Sequence, residues 1–173
     1  AGVPADTYAR MAKATAARGA RFVLDSSGLG LSETLGKAPV FLVKPSRGEL
    51  EQFAGAKLDN DGIQRAAAGI VARGAAEMVA VTLGVDGALL ATPQGVLRLP
   101  AIPVKECSAV GAGDSFLGAM VWSLSEGKGP EDAFRVGVAA GAAAVMTPGT
   151  ELCRRDDVFK LLQRLPAHPA KVP

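Results

Sequence analysis

The stretch Val40-Phe41-Leu42-Val43-Lys44-Pro45-Ser46-Arg47-Gly48-Glu49 decides the fold class. Its four leading apolar residues read as a short buried strand, closed by Lys44-Pro45. Ser46 then stands three residues before Glu49. In that S-x-x-E pattern each side chain satisfies a backbone N–H in the first turn of a helix. The helix is expected to run through about Ala54. A buried strand feeding directly into a capped helix is the unit from which α/β proteins with parallel sheets are built.

The flanking sequence repeats the theme. Upstream lies an N-terminal helix with Pro4 near its first turn and Gly19 after its end. Arg21–Asp25 follows as a strand, stopped by the loop signal Ser26-Ser27-Gly28. Downstream, residues 62–73 form a helix with Ile63, Ala67, Ile70 and Val71 on one face. Met78–Thr82 is a third apolar strand. Two more strands, 87–92 and 96–100, are joined by the turn Pro93-Gln94-Gly95. Helices start near Gly113, Pro130 and Arg155, with Pro148-Gly149 separating the last two. The expectation is one α/β layered domain, a mostly parallel sheet with helices on both faces and a small antiparallel addition. The tail 166–173 reads as loose.

Composition removes several function classes. The 173 residues carry 19 Lys+Arg against 17 Asp+Glu, and only 5% are aromatic. A net charge of +2 without basic runs offers no footprint for nucleic acid, and no stacking platform is visible. Cys107 and Cys153 lack metal-binding spacing and read as free thiols of a reducing compartment. The single histidine, His168, sits among prolines and reads as a solvated tail residue, so histidine-based catalysis is disfavoured. The most apolar stretch, 136–146, is too short to span a bilayer. Its Gly137-x-x-x-Gly141 reads as close helix packing. No signal peptide is evident, and a cytoplasmic protein without membrane partners is expected.

The chemistry concentrates in Ser108-Ala109-Val110-Gly111-Ala112-Gly113-Asp114-Ser115-Phe116. Two glycines at a helix start expose N–H groups at the positive end of the helix dipole, which suits phosphate. Asp114 in the first turn is either a dipole-stabilising charge or a general base beside that cradle. Gly111 and Gly113 lack the third glycine of a dinucleotide fingerprint, since Phe116 fills that place. Gly30–Lys37 has one residue too many for a Walker loop, and Ala38 replaces the required hydroxyl. Ser46 and Glu49 are explained by capping alone, with Mg²⁺ binding through water as the functional alternative. Gly84 and Gly87 mark either a turn or a backbone that approaches a nucleotide.

The combination is more specific than its parts. Lys44-Pro45-Ser46-x-x-Glu49-Leu50, Thr82-Leu83-Gly84-x-x-Gly87-Ala88, Val110-Gly111-Ala112-Gly113-Asp114 and Ala139-Ala140-Gly141…Gly149-Thr150 occur in that order. Together they resemble the C-terminal part of the PfkB/ribokinase-like sugar kinases. Asp25-Ser26-Ser27-Gly28 and Gly149-Thr150-x-Leu152-Cys153 resemble the phosphofructokinase branch. The family usually has Asn where this chain has Ser46, and many relatives have Asp and Thr where Ser108 and Ala109 stand.

The resemblance implies an ATP-dependent kinase of a sugar phosphate, with fructose 6-phosphate as the leading acceptor. A kinase of fructose 1-phosphate, tagatose 6-phosphate or another carbohydrate of the family, and a non-catalytic nucleotide-binding domain, are the alternatives. Asp114 would take the acceptor proton, and Gly111, Ala112 and Gly113 would offer N–H groups to the phosphoryl group. Thr82, Gly84 and Gly87 would line the ATP site, with Lys44 and Ser46 nearby and Ala139 and Ala142 beside the adenine. Glu49 would organise Mg²⁺ through its water shell. Carbonyls around Ser108, Val110, Ala144 and Gly149 would form a loop for a monovalent cation such as K⁺. The family's N-terminal sugar and lid motifs do not occur in this sequence. The chain is therefore expected to be the nucleotide-binding part, residues 1–173, of a kinase roughly twice as long, inactive by itself and homodimeric when full-length.

Overall fold

The computed structural model describes residues 3–172, which divide into two compact units. The first comprises residues up to 82 together with 89–96, and the second comprises 83–88 and 97–172.

In the first unit, helix α1 (Thr7–Ala16) precedes strand β1 (Val23–Leu24), α2 (Gly28–Leu35), β2 (Leu42–Val43), α3 (Arg47–Ala54), α4 (Asn60–Ala72) and β3 (Met78–Thr82). β1 pairs in parallel with β2, Val23 opposite Leu42 and Leu24 opposite Val43, and β2 pairs in parallel with β3. The interior is built where the apolar runs predicted it. Leu24, Leu42, Val43 and residues 78–81 of β3 are buried, as expected of parallel strands covered on both faces. Ile63, Ala67 and Ile70 of α4 are buried, and Val71 lies half-buried at the margin of that stripe. β4 (Ala88–Thr92) follows β3 in the strand order and turns through Pro93-Gln94 into β5 (Gly95–Leu99).

The strand stops before a loop at Asp25-Ser26-Ser27, as expected, but Gly28 already opens a helix, α2, that the sequence reading did not anticipate. A Cβ on Gly30 would stand 2.5 Å from Ser26 Oγ and 3.1 Å from the Tyr8 ring, so glycine lets α2 start against α1. Burial of Leu31, Thr34 and Leu35 outweighs the low helix propensity of those glycines.

The second unit carries a single 3₁₀ turn at Gly84–Asp86, the end of β5, helices α5 (Ala112–Ser125), α6 (Pro130–Val145) and α7 (Arg155–Leu162), and strand β6 (Ala170–Val172) beside β5. Phe116 and Phe134 meet edge to face with ring centroids 6.2 Å apart, joining α5 to α6. The small residues of α6 permit that approach. A Cβ on Gly137 would lie 2.6 Å from Met120 Cγ and 3.1 Å from the Phe116 carbonyl, so the Gly137/Gly141 spacing is a helix-packing device.

The tail also departs from expectation. Arg135 Nε donates to the Pro166 carbonyl at 2.9 Å, and His168 Nδ1 lies 2.8 Å from Glu131 Oε1. Prolines remove donors but keep carbonyls, and a distant arginine uses one. Residues 166–172 are thus tied down and end in β6; residue 173 lies outside the described residues. Both cysteines are free thiols, and no helix among the described residues is long and apolar enough to cross a membrane.

Candidate active site

In the first unit, the parallel register carries polar residues to the C-terminal edge of the strands, where α/β sheets take ligands. Asp25 and Lys44 are the next residues after the Leu24/Val43 pair, and the Lys44 N–H donates to the Leu24 carbonyl at 3.1 Å. The Lys44 side chain is only 7% exposed, and its ammonium stands 3.2 Å from Asp25 Oδ2. Burying an ammonium is costly unless a partner is supplied, and Asp25 supplies one. Sequence reading used Asp25 only as part of a motif and as the last residue of its strand; its pairing with Lys44 follows from the register of β1 and β2.

Ser46 forms an isolated parallel bridge with Thr82, and the Thr82 N–H donates to the Pro45 carbonyl at 3.1 Å. This brings Lys44, Ser46 and Thr82 to one edge. Ser46 caps α3 through a complete capping box. Glu49 N–H donates to Ser46 Oγ at 3.3 Å, while Glu49 Oε2 accepts from Ser46 N–H at 2.7 Å and from Ser46 Oγ at 2.9 Å. Capping accounts for both residues, and a hydrated cation would have to share the Glu49 carboxylate with it. Mg²⁺ keeps several waters and needs only one or two carboxylates beside substrate phosphates, so this donor set fits a water-mediated ion. Among the described residues no group of three or more His, Cys, Asp or Glu is placed to hold a metal.

At the other end of α3, buried Glu51 fastens the loop to α4. Its carboxylate accepts from Lys57 Nζ at 2.7 Å and from Leu58 N–H at 3.1 Å. Those hydrogen bonds, from Lys57 first, hold the Glu51 carboxyl below the usual range.

In the second unit, the decisive element is the start of α5. Gly111, the N-cap, has φ 78°, a left-handed conformation that favours glycine, and nothing lies within 4 Å of where its Cβ would be. Ser115 N–H closes the first turn onto the Gly111 carbonyl at 2.8 Å. Ala112 N–H already donates to the Ala109 carbonyl, though at a long 3.3 Å. Asp114 is exposed in the first turn. Gly141 allows α6 to support this turn, because a Cβ there would come within 3.3 Å of the Ala112 carbonyl.

Two loops of the same unit are laced together. Ser108 Oγ donates to the Gly149 carbonyl at 2.8 Å and accepts from Val110 N–H at 3.2 Å. The Cys107 and Ser108 N–H groups both donate to the Val145 carbonyl. Buried Thr147 places its hydroxyl 2.8 Å from the Ala144 carbonyl and 2.9 Å from that of Glu151. Ser108 therefore joins Val110 and Gly149, while the Ala144 carbonyl is held by Thr147, a residue the sequence reading did not single out.

The remaining predicted residues divide by their surroundings. A Cβ on Gly87 would fall 2.1 Å from the Leu99 carbonyl oxygen and 2.7 Å from Ala101 N, so the fold itself requires this glycine. Gly84 has φ 59° and open surroundings. Ala139 is fully buried, and of the two alanines only Ala142 retains surface to offer a ligand.

Comparison with known proteins follows the same residues. A family model described as pfkB family carbohydrate kinase matches residues 1–157. The chain belongs to the pfkB family of carbohydrate kinases. It is 42% identical over 172 residues to an ATP-dependent 6-phosphofructokinase isozyme 2 of Mycobacterium tuberculosis, covering 99% of this chain and 50% of that protein. It is 36% identical over 154 residues to a 1-phosphofructokinase of Bacillus subtilis, covering 86% of this chain and 50% of the relative. The crystal structure of Escherichia coli phosphofructokinase-2 in complex with potassium superposes with a TM-score of 0.90 at 38% identity, over 94% of this chain and 53% of that one. The α/β fold is thus ribokinase-like, as the motif order implied, and the chain spans about half the length of the relatives it matches.

Proposed function

We propose that the chain is the C-terminal, nucleotide-binding part of an ATP-dependent kinase that phosphorylates a primary hydroxyl of fructose 6-phosphate. The observation that carries the reading is the start of α5, where the left-handed Gly111 opens a helix whose first turn exposes Asp114. Likeness to an ATP-dependent 6-phosphofructokinase over 99% of the chain supports the choice of acceptor.

In this reading Asp114 accepts the proton of the attacking hydroxyl as the new P–O bond forms and the bond to the leaving ADP oxygen breaks. Phosphoryl transfer depends on positioning and charge stabilisation, so a glycine cradle, cationic partners and one base suffice in this part. The N–H groups of Gly111 and Gly113 face the phosphoryl oxygens, with Ala112 joining them by giving up its long bond to Ala109. Lys44, Ser46, Thr82 and Gly84 attend the nucleotide, and Ala142 lies beside its base. Glu49 orders the waters of Mg²⁺, which supplies positive charge against the phosphates. The Ser108–Gly149 loops hold K⁺, an ion named with the E. coli neighbour. The protein works in the cytoplasm as a homodimer.

The 1-phosphofructokinase likeness favours a second reading, a kinase of fructose 1-phosphate. ADP release by the full-length protein, offered fructose 6-phosphate, fructose 1-phosphate and tagatose 6-phosphate in turn, separates the readings. Turnover is expected with fructose 6-phosphate foremost. ATP binding without turnover on any of the three would leave a nucleotide-binding module. The 173-residue chain alone is expected to be nearly inert, since orientation of the acceptor accounts for about 7–11 kcal/mol of such a barrier.

A further inference from the structure

The Asp25–Lys44 pair is asymmetric. The lysine side chain is 7% exposed and the aspartate 32%, so a covered cation is paired with a partly open anion. The parallel register of β1 and β2 puts the two charges side by side at the strand ends, and both backbones are fixed there by the Lys44 N–H to Leu24 carbonyl bond. A lysine ammonium is a point charge on a flexible stem with three donors. Asp25 Oδ2 stands 3.2 Å from that charge, and a compact cation of this kind can face a second anion as well.

We propose that Asp25 is a positioning residue that holds the Lys44 ammonium where it meets the phosphate chain of a nucleotide. The inference rests on the reading that Lys44 attends the nucleotide. Two electrostatic effects oppose each other. A carboxylate near the site repels phosphate, but at one-third exposure water screens it. Removing it leaves a covered ammonium without its counter-ion, free to abandon its place, and that loss is the larger for a charge so enclosed.

The test measures binding of ATP, ADP and adenosine to the full-length protein, with Mg²⁺ and with the metal chelated. Asp25→Asn is expected to weaken ATP and ADP about tenfold in both conditions and to leave adenosine unchanged, with Asp25→Glu recovering most of the loss. The Asp25→Asn/Lys44→Met double variant should bind ATP as Lys44→Met does. Tighter ATP binding in Asp25→Asn, equal losses for adenosine, or a loss that vanishes without Mg²⁺ would each overturn the inference. Lys44→Met weakening ATP while Asp25→Asn does not would overturn the inference alone. An unaffected Lys44→Met would overturn the nucleotide reading of Lys44 and the inference with it. If Asp25→Asn does not fold, the double variant, which buries no unpaired ammonium, is compared with Lys44→Met, and any further loss of ATP affinity counts against positioning.

Discussion

The sheet edge of the first unit and the helix start of the second carry candidate chemistry in opposite ways. At the edge, the Lys44, Ser46 and Glu49 side chains already have work within the fold. Glu49 and Ser46 cap each other, Lys44 rests on Asp25, and Ser46 bridges to Thr82. At the start of α5, Gly111 is open, Asp114 is exposed, and the turn is supported from behind by Gly141. In the first region stability and function should fall together under substitution. In the second they should separate.

The largest separation is expected at Asp114. Asp114→Asn keeps the shape of the first turn and loses the proton acceptor. In the full-length protein kcat should drop about 10²–10⁴-fold, with ATP affinity almost unchanged. If Asp114 only complements the helix dipole, the variant loses roughly 0.3–1 kcal/mol of stability and keeps its turnover. Thermal midpoint, ATP titration and kcat on one preparation decide between the two. Normal turnover would make this turn a structural element like the sheet edge, and the contrast would collapse.

The second unit offers an internal control in its two turn glycines. Gly87→Ala meets the backbone of residues 99–101 and needs φ 92°, ψ −132°, so a loss of about 2–6 kcal/mol is expected. Gly84→Ala, with open space and φ 59°, should cost only about 1–2 kcal/mol. Urea unfolding of both variants checks the order, and equal losses would refute the claim that the fold requires Gly87.

The difference between the regions also explains what could be read in advance. β3, α3 and α5 were legible because their signals are local: an apolar run at 78–81, Ser46 three residues before Glu49, and glycines at a helix start. α2 was not legible, since Gly30 is selected by Tyr8 and Ser26 packing against it rather than by helix propensity. The tail was not legible either. Its anchors, Arg135 and Glu131, lie 31 and 37 residues from their partners. The same holds at the site. Asp114 is marked by its neighbours in sequence, whereas the Asp25–Lys44 pair exists only through strand register.

Ser46→Ala probes the sheet edge. Loss of the cap should cost about 1 kcal/mol in urea unfolding. Because Glu49 loses a hydrogen-bond donor at the same time, the Mg²⁺ concentration supporting half-maximal turnover of the full-length protein should change as well. A stability loss with an unchanged Mg²⁺ requirement would mean that capping and cation organisation do not share this carboxylate.

The smallest effect expected concerns Glu51, which shows how firmly the edge is tied down at the far end of α3. Its carboxyl lies below the ordinary value of 4.5 because Lys57 and the Leu58 N–H bond the charged form. The unfolded chain therefore binds a proton more readily than the native one as pH falls past 4.5, and linkage makes the native state lose stability in that direction. The contribution is fully present above the unfolded value and disappears as pH falls through the native one. Glu51→Gln removes the titrating group, so the variant should start less stable at pH 7 and show a flatter decline below pH 4.5 than the parent. Unfolding midpoints from pH 7 down to pH 3 supply the comparison. Parallel declines would show that the Lys57 and Leu58 bonds add nothing to the charged form, and the loop after α3 would lose its place among the polar contacts that tie this region together.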